Sequence, residues 1–325
     1  MKFVDAGGVR VSAIGVGCWQ FGSKDWGYGK AYGETTAVDI VHTALDLGVT
    51  LIDTAEAYAR GASEAIVGRS LIGRRAEAFV ATKFTPLSPT ATRVVEHGRQ
   101  SALRLGVDTI DLYQIHWPNP AFPLRPQLDG MRTLLDEGVI ANVGVSNFGA
   151  DRWAKADAAL GRPVLSNQVH FSLLYRRPDQ ANVPYAQAND RIVIAYSPLE
   201  MGVLGGKYSA DNPPPGVARG RSPLCLAENL ARAEPLLETL RRIATAHDAT
   251  PAQVALAWLI RKPNVVAIPG ASSVDQLRHN VAAADLDLTD DEAAELTAES
   301  DAFTPIGNVD TGKAMLRRRR GTAGA

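Results

Sequence analysis

DLGVTLIDTAEAY (46–58) and DEGVIANVGVSNF (136–148) are two copies of one plan. Each leaves a helical pattern through a glycine, runs along an apolar strand and places a polar residue at the strand tip. In the first copy Val49–Thr50–Leu51–Ile52 reads as a buried strand ending on Asp53, with Tyr58 in the loop beyond. In the second the tip is Ser146–Asn147. Glycine just past a helix is a common C-terminal signal, and strands alternating with helices indicate a parallel α/β architecture.

The same alternation extends in both directions. Strand candidates lie at 14–17, 78–82, 110–115, 139–145, 164–168, 192–196 and 265–268, besides 49–53. Amphipathic stretches fall between them at 34–48, 88–106, 124–138 and 150–161. Before the first strand, KFVDAGGVRVSAIGVG (2–17) reads as a hairpin turning on Gly-Gly. Strand tips recur at about the length of one βα unit. GVGCWQFG (15–22) has glycines but opens no helix, so the dinucleotide fingerprint of an open doubly wound sheet is missing. Eight units in one chain favour a closed (β/α)8 barrel, read as a single domain over 1–325. One stretch breaks the rhythm: 197–232, rich in Gly and Pro, is expected as a long loop following the seventh barrel strand, and loops of that length are usually functional. The arginine-rich end KAMLRRRRGTAGA (313–325) reads as a solvated tail.

Composition removes several classes of function. The chain of 325 residues has a formal net charge of −1, so no basic field gathers nucleic acid or anionic lipid. No apolar run reaches the length of a membrane span, and the start lacks the apolar core of a signal peptide. Only two cysteines are present, Cys18 and Cys225, in unlike surroundings. A reducing, cytoplasmic setting is therefore expected. The six histidines are scattered without HExxH or CxxC spacing, and GxSxG is absent, so neither a metal nor a serine nucleophile is expected.

In a barrel of this kind the residues at the C-terminal ends of the strands converge on one face. Here those tips read Asp53, Lys83, His116, Ser146–Asn147, Gln168 and Tyr196–Ser197. Their chemistry is complementary. A tyrosine is a weak acid near neutral pH, and a nearby ammonium favours its phenolate. Lys83 supplies that cation for Tyr58, Asp53 anchors Lys83, and His116 donates to an oxygen that develops charge. Such a set suits protonation of a carbonyl oxygen while a hydride donor attacks the carbon.

At these residues the sequence resembles the aldo-keto reductase superfamily. IDTAEAYA (52–59), ATKF (81–84), IDLYQIHWP (110–118), VGVSNF (143–148), SNQVHFSLL (166–174), AYSPLEMGVLGGKY (195–208) and IPGASSVDQLRHN (268–280) follow that family's blocks in its order. The DWGYGKAYGE segment (25–34) is similar to a bacterial and plant branch, and the cofactor segment is shared with potassium-channel β subunits. The resemblance implies an NADP(H)-binding barrel that reduces aldehydes or ketones, with NAD(H) as a possible substitute. It implies a catalytic set of Asp53, Tyr58, Lys83 and His116, with Tyr58 as the acid. It also implies cofactor contacts from Trp19, Asp53, Ser146, Asn147, Gln168 and a stacking Tyr196. Ser197, Leu199 and Lys207 would meet the pyrophosphate, and Gly270, Ser272, Gln276 and Asn280 the adenosine end, beside a helix starting near Ser273. The sequence departs from the pattern at Gly270 and Ser272, where many relatives carry a cation for the 2′-phosphate, and at His279, where an acid is common. Lys207, Arg219, Arg221 and Arg278 are the cations available instead.

Substrate is expected over Tyr58 and His116, between Trp19, Trp26, Tyr28, Phe84, Trp117 and Phe122, whose aromatic walls suit a small-molecule carbonyl compound that bears a ring or is moderately hydrophobic. Two rival readings remain: a cofactor-bound regulatory subunit with little turnover, which the resemblance to potassium-channel β subunits implies, and a barrel isomerase or aldolase using Lys83 as a Schiff-base lysine.

Overall fold

The computed structural model describes residues 1–87 and 89–307; the arginine-rich end, 313–325, lies outside the described residues. Strands β1 (Phe3–Ala6) and β2 (Val9–Ser12) form the antiparallel hairpin. Its turn requires glycine, because Gly7 and Gly8 both take positive φ, 59° and 79°.

Eight strands follow: β3 (Val16–Gly17), β4 (Leu51–Asp53), β5 (Phe79–Phe84), β6 (Ile110–Ile115), β7 (Ile140–Ser146), β8 (Val164–His170), β9 (Ile192–Tyr196) and β10 (Val265–Ala267). Each pairs in parallel with the next in sequence. The two ends of that sheet meet. Ile14 bridges Ala267 and Gly17 bridges Gly270 in parallel, with Gly15 N donating to Ala267 O at 2.8 Å and Ala267 N to Ala13 O at 2.9 Å. The result is a closed (β/α)8 barrel, as the sequence implied.

Period-two alternation divides the core into two layers. Leu51, Ala81, Leu112, Leu165, Ile194 and Val266 pack inside the barrel with Val4, Ala6 and Val11 of the hairpin. Ile52, Val80, Tyr113, Val145 and Val193 point outward, in the layer packed by the helices with Leu105, Met131 and Trp153. The hairpin thus stoppers the barrel at the strand N-termini, where Gly7 N also bonds Asp190 Oδ2 at 2.9 Å just before β9. Truncating an inner residue such as Leu112 to alanine costs about 2–5 kcal/mol. Above this apolar layer the interior turns polar. Gly144 of β7 makes room there, since a Cβ would stand 2.5 Å from Ser166 Oγ and 2.8 Å from Gln114 Cγ.

The expected helices appear as Glu34–Asp46, Ala91–Leu105, Leu124–Asp136 and Ala150–Leu160. The long loop needs correction. Helix Ala227–Ala246 already begins inside the stretch 197–232, and the remainder holds the turns Glu200–Gly205 and Pro223–Cys225 and the short helix Val217–Gly220. That long helix starts on Leu226, which offers no capping side chain, and contains Pro235, so its start signal is weak. Helices Ala62–Ser70, Arg177–Asn189, Pro251–Ile260, Val274–Ala282 and Asp290–Ala302 are further helices of the described chain. No helix among the described residues is long and apolar enough to cross a membrane.

Candidate active site

Asp53 is the last residue of β4 and Lys83 the penultimate residue of β5, and both side chains are fully buried. Lys83 Nζ donates to Asp53 Oδ1 at 2.7 Å, to the Thr54 carbonyl at 2.7 Å and to Tyr58 OH at 3.2 Å. Three donors are thus matched by three acceptors. The second oxygen of Asp53 accepts from Gln168 Nε2 of β8 at 2.7 Å. Tyr58 reaches this group because the chain after β4 coils tightly. Thr54 N bonds Ala81 O, Tyr58 N bonds Ala55 O, and Ala59 and Arg60 both take left-handed conformations (φ 46° and 57°). Left-handed backbone at non-glycine residues costs energy, and here it lies directly beside the phenol.

The electrostatics differ from the sequence expectation at one point. Burial pushes the Tyr58 phenol above its ordinary range, and Lys83 only partly offsets it, so the group is a neutral phenol. The low-dielectric site penalises phenolate more than the ammonium rewards it. Burial would push Lys83 down, but Asp53 and Tyr58 outweigh it and hold the ammonium protonated. Burial raises Asp53 against the opposing pull of Lys83 and Gln168. His116 follows β6, its ring edge-to-face with Tyr58 at 5.6 Å. Burial and Lys83 depress its pKa to about 3, so it stays neutral, and its Nδ1 is buried without a protein partner among the described residues.

A second polar group lies alongside. Ser146 Oγ donates to Gln168 O at 2.9 Å, Asn147 Nδ2 to Ser146 Oγ at 3.0 Å and to His116 O at 3.2 Å, and Tyr196 OH to Asn147 Oδ1 at 2.9 Å. Asn147 takes φ 62°, a conformation asparagine tolerates. His170 lies nearly parallel to Tyr196 (5.4 Å, 15°) and is backed by Tyr175 (4.2 Å, 8°). Its Nε2 meets buried Glu200 at 2.7 Å, and Glu200 also accepts from Ser172 Oγ. The sequence reading missed this stack, although a signal existed: His170 lies two residues beyond Gln168 on the same strand, and so on the same face.

The remaining expected residues divide. Ser197 (φ 50°) and Leu199 open the segment after β9, and Lys207 is exposed beside the Tyr208 ring. Gly270, Ser272, Gln276 and Asn280 gather at helix Val274–Ala282, which Ser273 caps. Ser272 N and Oγ both donate to Gln276 Oε1, and Asn280 Nδ2 reaches Gly270 O at 3.4 Å. Gln20 Nε2 stitches the first loop to this segment through Ala271 O at 2.8 Å. Trp19 is 45% exposed and faces Tyr58 (6.5 Å) and Trp26 (5.3 Å), while Trp117 lies against His116 (4.7 Å). Phe122 is half-buried further along the loop, and Tyr28 packs edge-on to Tyr32. Phe84 is a correction: it follows Lys83 on β5 and so points to the opposite side, where it is buried against Tyr113 in the helix layer. Arg219 and Arg221, considered for a cofactor phosphate, instead meet Trp26 and Asp25 on the aromatic loop, and Arg278 is exposed on helix Val274–Ala282.

Residues 13–301 match the family model described as "Aldo/keto reductase family". An uncharacterized oxidoreductase of Mycobacterium tuberculosis is 55% identical over 94% of this chain and 95% of its own length. The chloroplastic pyridoxal reductase of Arabidopsis thaliana is 35% identical over 90% of this chain and 84% of its own. The crystal structure of a Klebsiella pneumoniae aldo-keto reductase in complex with NADPH superposes with a TM-score of 0.74 at 28% identity, covering 94% of this chain and 96% of that one.

Proposed function

The chain belongs to the aldo/keto reductase family, and on that premise we propose that it reduces an aldehyde or ketone to the alcohol using NADPH. The observation that carries this reading is the position of Lys83 Nζ, bonded at once to the Asp53 carboxylate and the Tyr58 hydroxyl in a water-poor site. When bound, the nicotinamide cofactor supplies the hydride. Tyr58 donates the proton to the carbonyl oxygen. As its O–H bond breaks, charge develops on the phenol oxygen 3.2 Å from an ammonium already in place, which lowers the barrier without reorganisation. Asp53 keeps Lys83 charged and aimed. Neutral His116 has no protein acceptor for Nδ1 among the described residues, which favours the Nε2–H tautomer and leaves one N–H to orient the carbonyl.

The residues fit the cofactor. Ser146, Asn147 and Gln168 offer the mixed donors and acceptors that a carboxamide requires. The ring plane of Tyr196 is fixed by His170, which suits one face of a flat heterocycle. Ser197, Leu199 and Lys207 would hold the pyrophosphate, and Gly270, Ser272, Gln276 and Asn280 the adenosine end at a helix N-terminus. Trp19, Trp26 and Trp117 would border the substrate. NADPH is favoured by the Klebsiella neighbour.

Tyr58→Phe tests the assignment. NADPH oxidation with an aldehyde panel is expected to fall about 10²- to 10⁴-fold, while fluorescence titration gives an NADPH Kd close to the parent's. Turnover within a few fold of the parent would remove Tyr58 as the proton donor.

A further inference from the structure

We propose that Arg219 selects carbonyl substrates that carry an anionic group, a carboxylate or a phosphate, at the end remote from the carbonyl. This deepens the reading of Tyr58 as proton donor and rests on it. The first observation is a continuous wall. From Tyr58 the rings step to Trp19 (6.5 Å) and from Trp19 to Trp26 (5.3 Å), and the Arg219 guanidinium lies over the Trp26 ring at 5.5 Å. A substrate placing its carbonyl at the Tyr58 hydroxyl and lying along the indoles would run towards a cation.

The second observation is how that cation is held. Arg219 Nε donates to Met201 O at 2.9 Å and Nη1 to Pro215 O at 3.3 Å, so backbone carbonyls fix the fork. Its Nη2 donates to no group among the described residues, and no carboxylate among them lies within 4.0 Å of it. Asp25, the acid on the facing turn Lys24–Trp26, pairs with Arg221 at 3.3 Å. Arg219 is therefore half-buried, and its charge has no carboxylate partner among the described residues; the bonds that position it run to neutral carbonyls. Bracing the loop needs only the two bonds to carbonyl oxygens. What remains is a planar donor pair suited to a carboxylate or phosphate.

Initial rates with NADPH would be measured for aldehydes whose carboxylate stands at increasing distance: 4-carboxybenzaldehyde, 4-formylcinnamate and 5-(4-formylphenoxy)pentanoate, each against its methyl ester. The compound 4-formylphenyl phosphate separates phosphate from carboxylate recognition. At least one anion is expected to exceed its neutral partner in kcat/KM by about tenfold to a hundredfold, carried mainly in KM. Arg219→Gln should bring that ratio near one, Arg219→Lys should keep part of it, and Arg221→Gln should leave it standing. The NADPH Kd of Arg219→Gln should match the parent's. A parent with no anion preference, or a preference that survives Arg219→Gln, overturns the proposal. So does a weakened NADPH Kd with an unchanged ratio, which would assign Arg219 to the cofactor. If no aldehyde is reduced, the reading of Tyr58 fails on its own. Calorimetric binding of the same carboxylates to the parent and to Arg219→Gln then decides the role of Arg219: weaker binding to the variant supports it, and equal binding rejects it.

Discussion

The group around Lys83 and the segment after Tyr196 border the same mouth but are held by different means. Asp53, Lys83 and Gln168 stand on neighbouring or facing strands, fully buried, and each is fixed by side-chain bonds of 2.7 Å. Beyond Tyr196 the chain passes through positive φ at Ser197, Glu200 and Met201, and Arg219 is held by backbone carbonyls over an indole. The first region leaves its side chains almost no freedom. The second can be re-laid without disturbing a strand. Proposed proton chemistry on the rigid part and proposed recognition on the adjustable part is a division that keeps reacting atoms in place while the choice of substrate shifts.

The harshest way to break this comparison is Lys83→Met. It strands a buried carboxylate, so a loss of about 3–5 kcal/mol in denaturant unfolding is expected, with a rate loss at least as large as that of Tyr58→Phe. Adding Asp53→Asn should return much of the stability and none of the rate. Recovery of turnover in the double variant would show that the ammonium acts only as a structural cation.

The next test uses pH. Burial holds Tyr58 above its ordinary value and His116 is depressed to about 3, so the phenol stays protonated and the imidazole stays neutral across the usual working range. The kcat profile for reduction should therefore be level from about pH 5 to pH 9 and fall only on the alkaline side, as the phenol ionises. An acid-side break near the free-histidine value, absent from a His116 variant, would contradict this.

Milder effects belong to the adjustable region. Glu200→Gln keeps the volume but weakens the bonds to His170 and Ser172 that steady Tyr196, and it should weaken NADPH binding about two- to tenfold. Stopped-flow release of the cofactor should quicken while the chemical step stays close to the parent's. Smallest of all is Ala59→Gly. Alanine at φ 46° carries strain that glycine lacks, so thermal unfolding should show stability unchanged or raised by up to about 1 kcal/mol, where the same swap inside a helix would lower it.

The barrel is legible in the sequence because its strands are apolar, short and followed by polar tips, which place Asp53, Lys83 and Ser146. Phe84 shows the limit of that approach. It sits in the ATKF block, but strand alternation, not block membership, decides where a side chain points. Two further helices carry their own start signals: Thr250 with Gln253 and Thr289 with Glu292 form capping boxes that their spacing announces. The Glu200–His170 bond joins residues 30 apart, and no local pattern records it. The neutral phenol of Tyr58 likewise depends on the whole of its buried surroundings.

Barrel closure also predicts an order of events during folding. Asp53 and Lys83 are 30 residues apart and meet as soon as two adjacent units pair. The bond from Gln168 to Asp53 spans 115 residues, and that from Gln20 to Ala271 spans 251. Loop-closure entropy rises with separation and long-range pairings form slowly. A chain emerging from the ribosome is therefore expected to form the Asp53–Lys83 ion pair before the seam that joins β3 to β10. The segment around Gly270, proposed for the adenosine end, should be completed last, so a nascent intermediate would hold the Lys83 ammonium in place before the proposed cofactor site was whole.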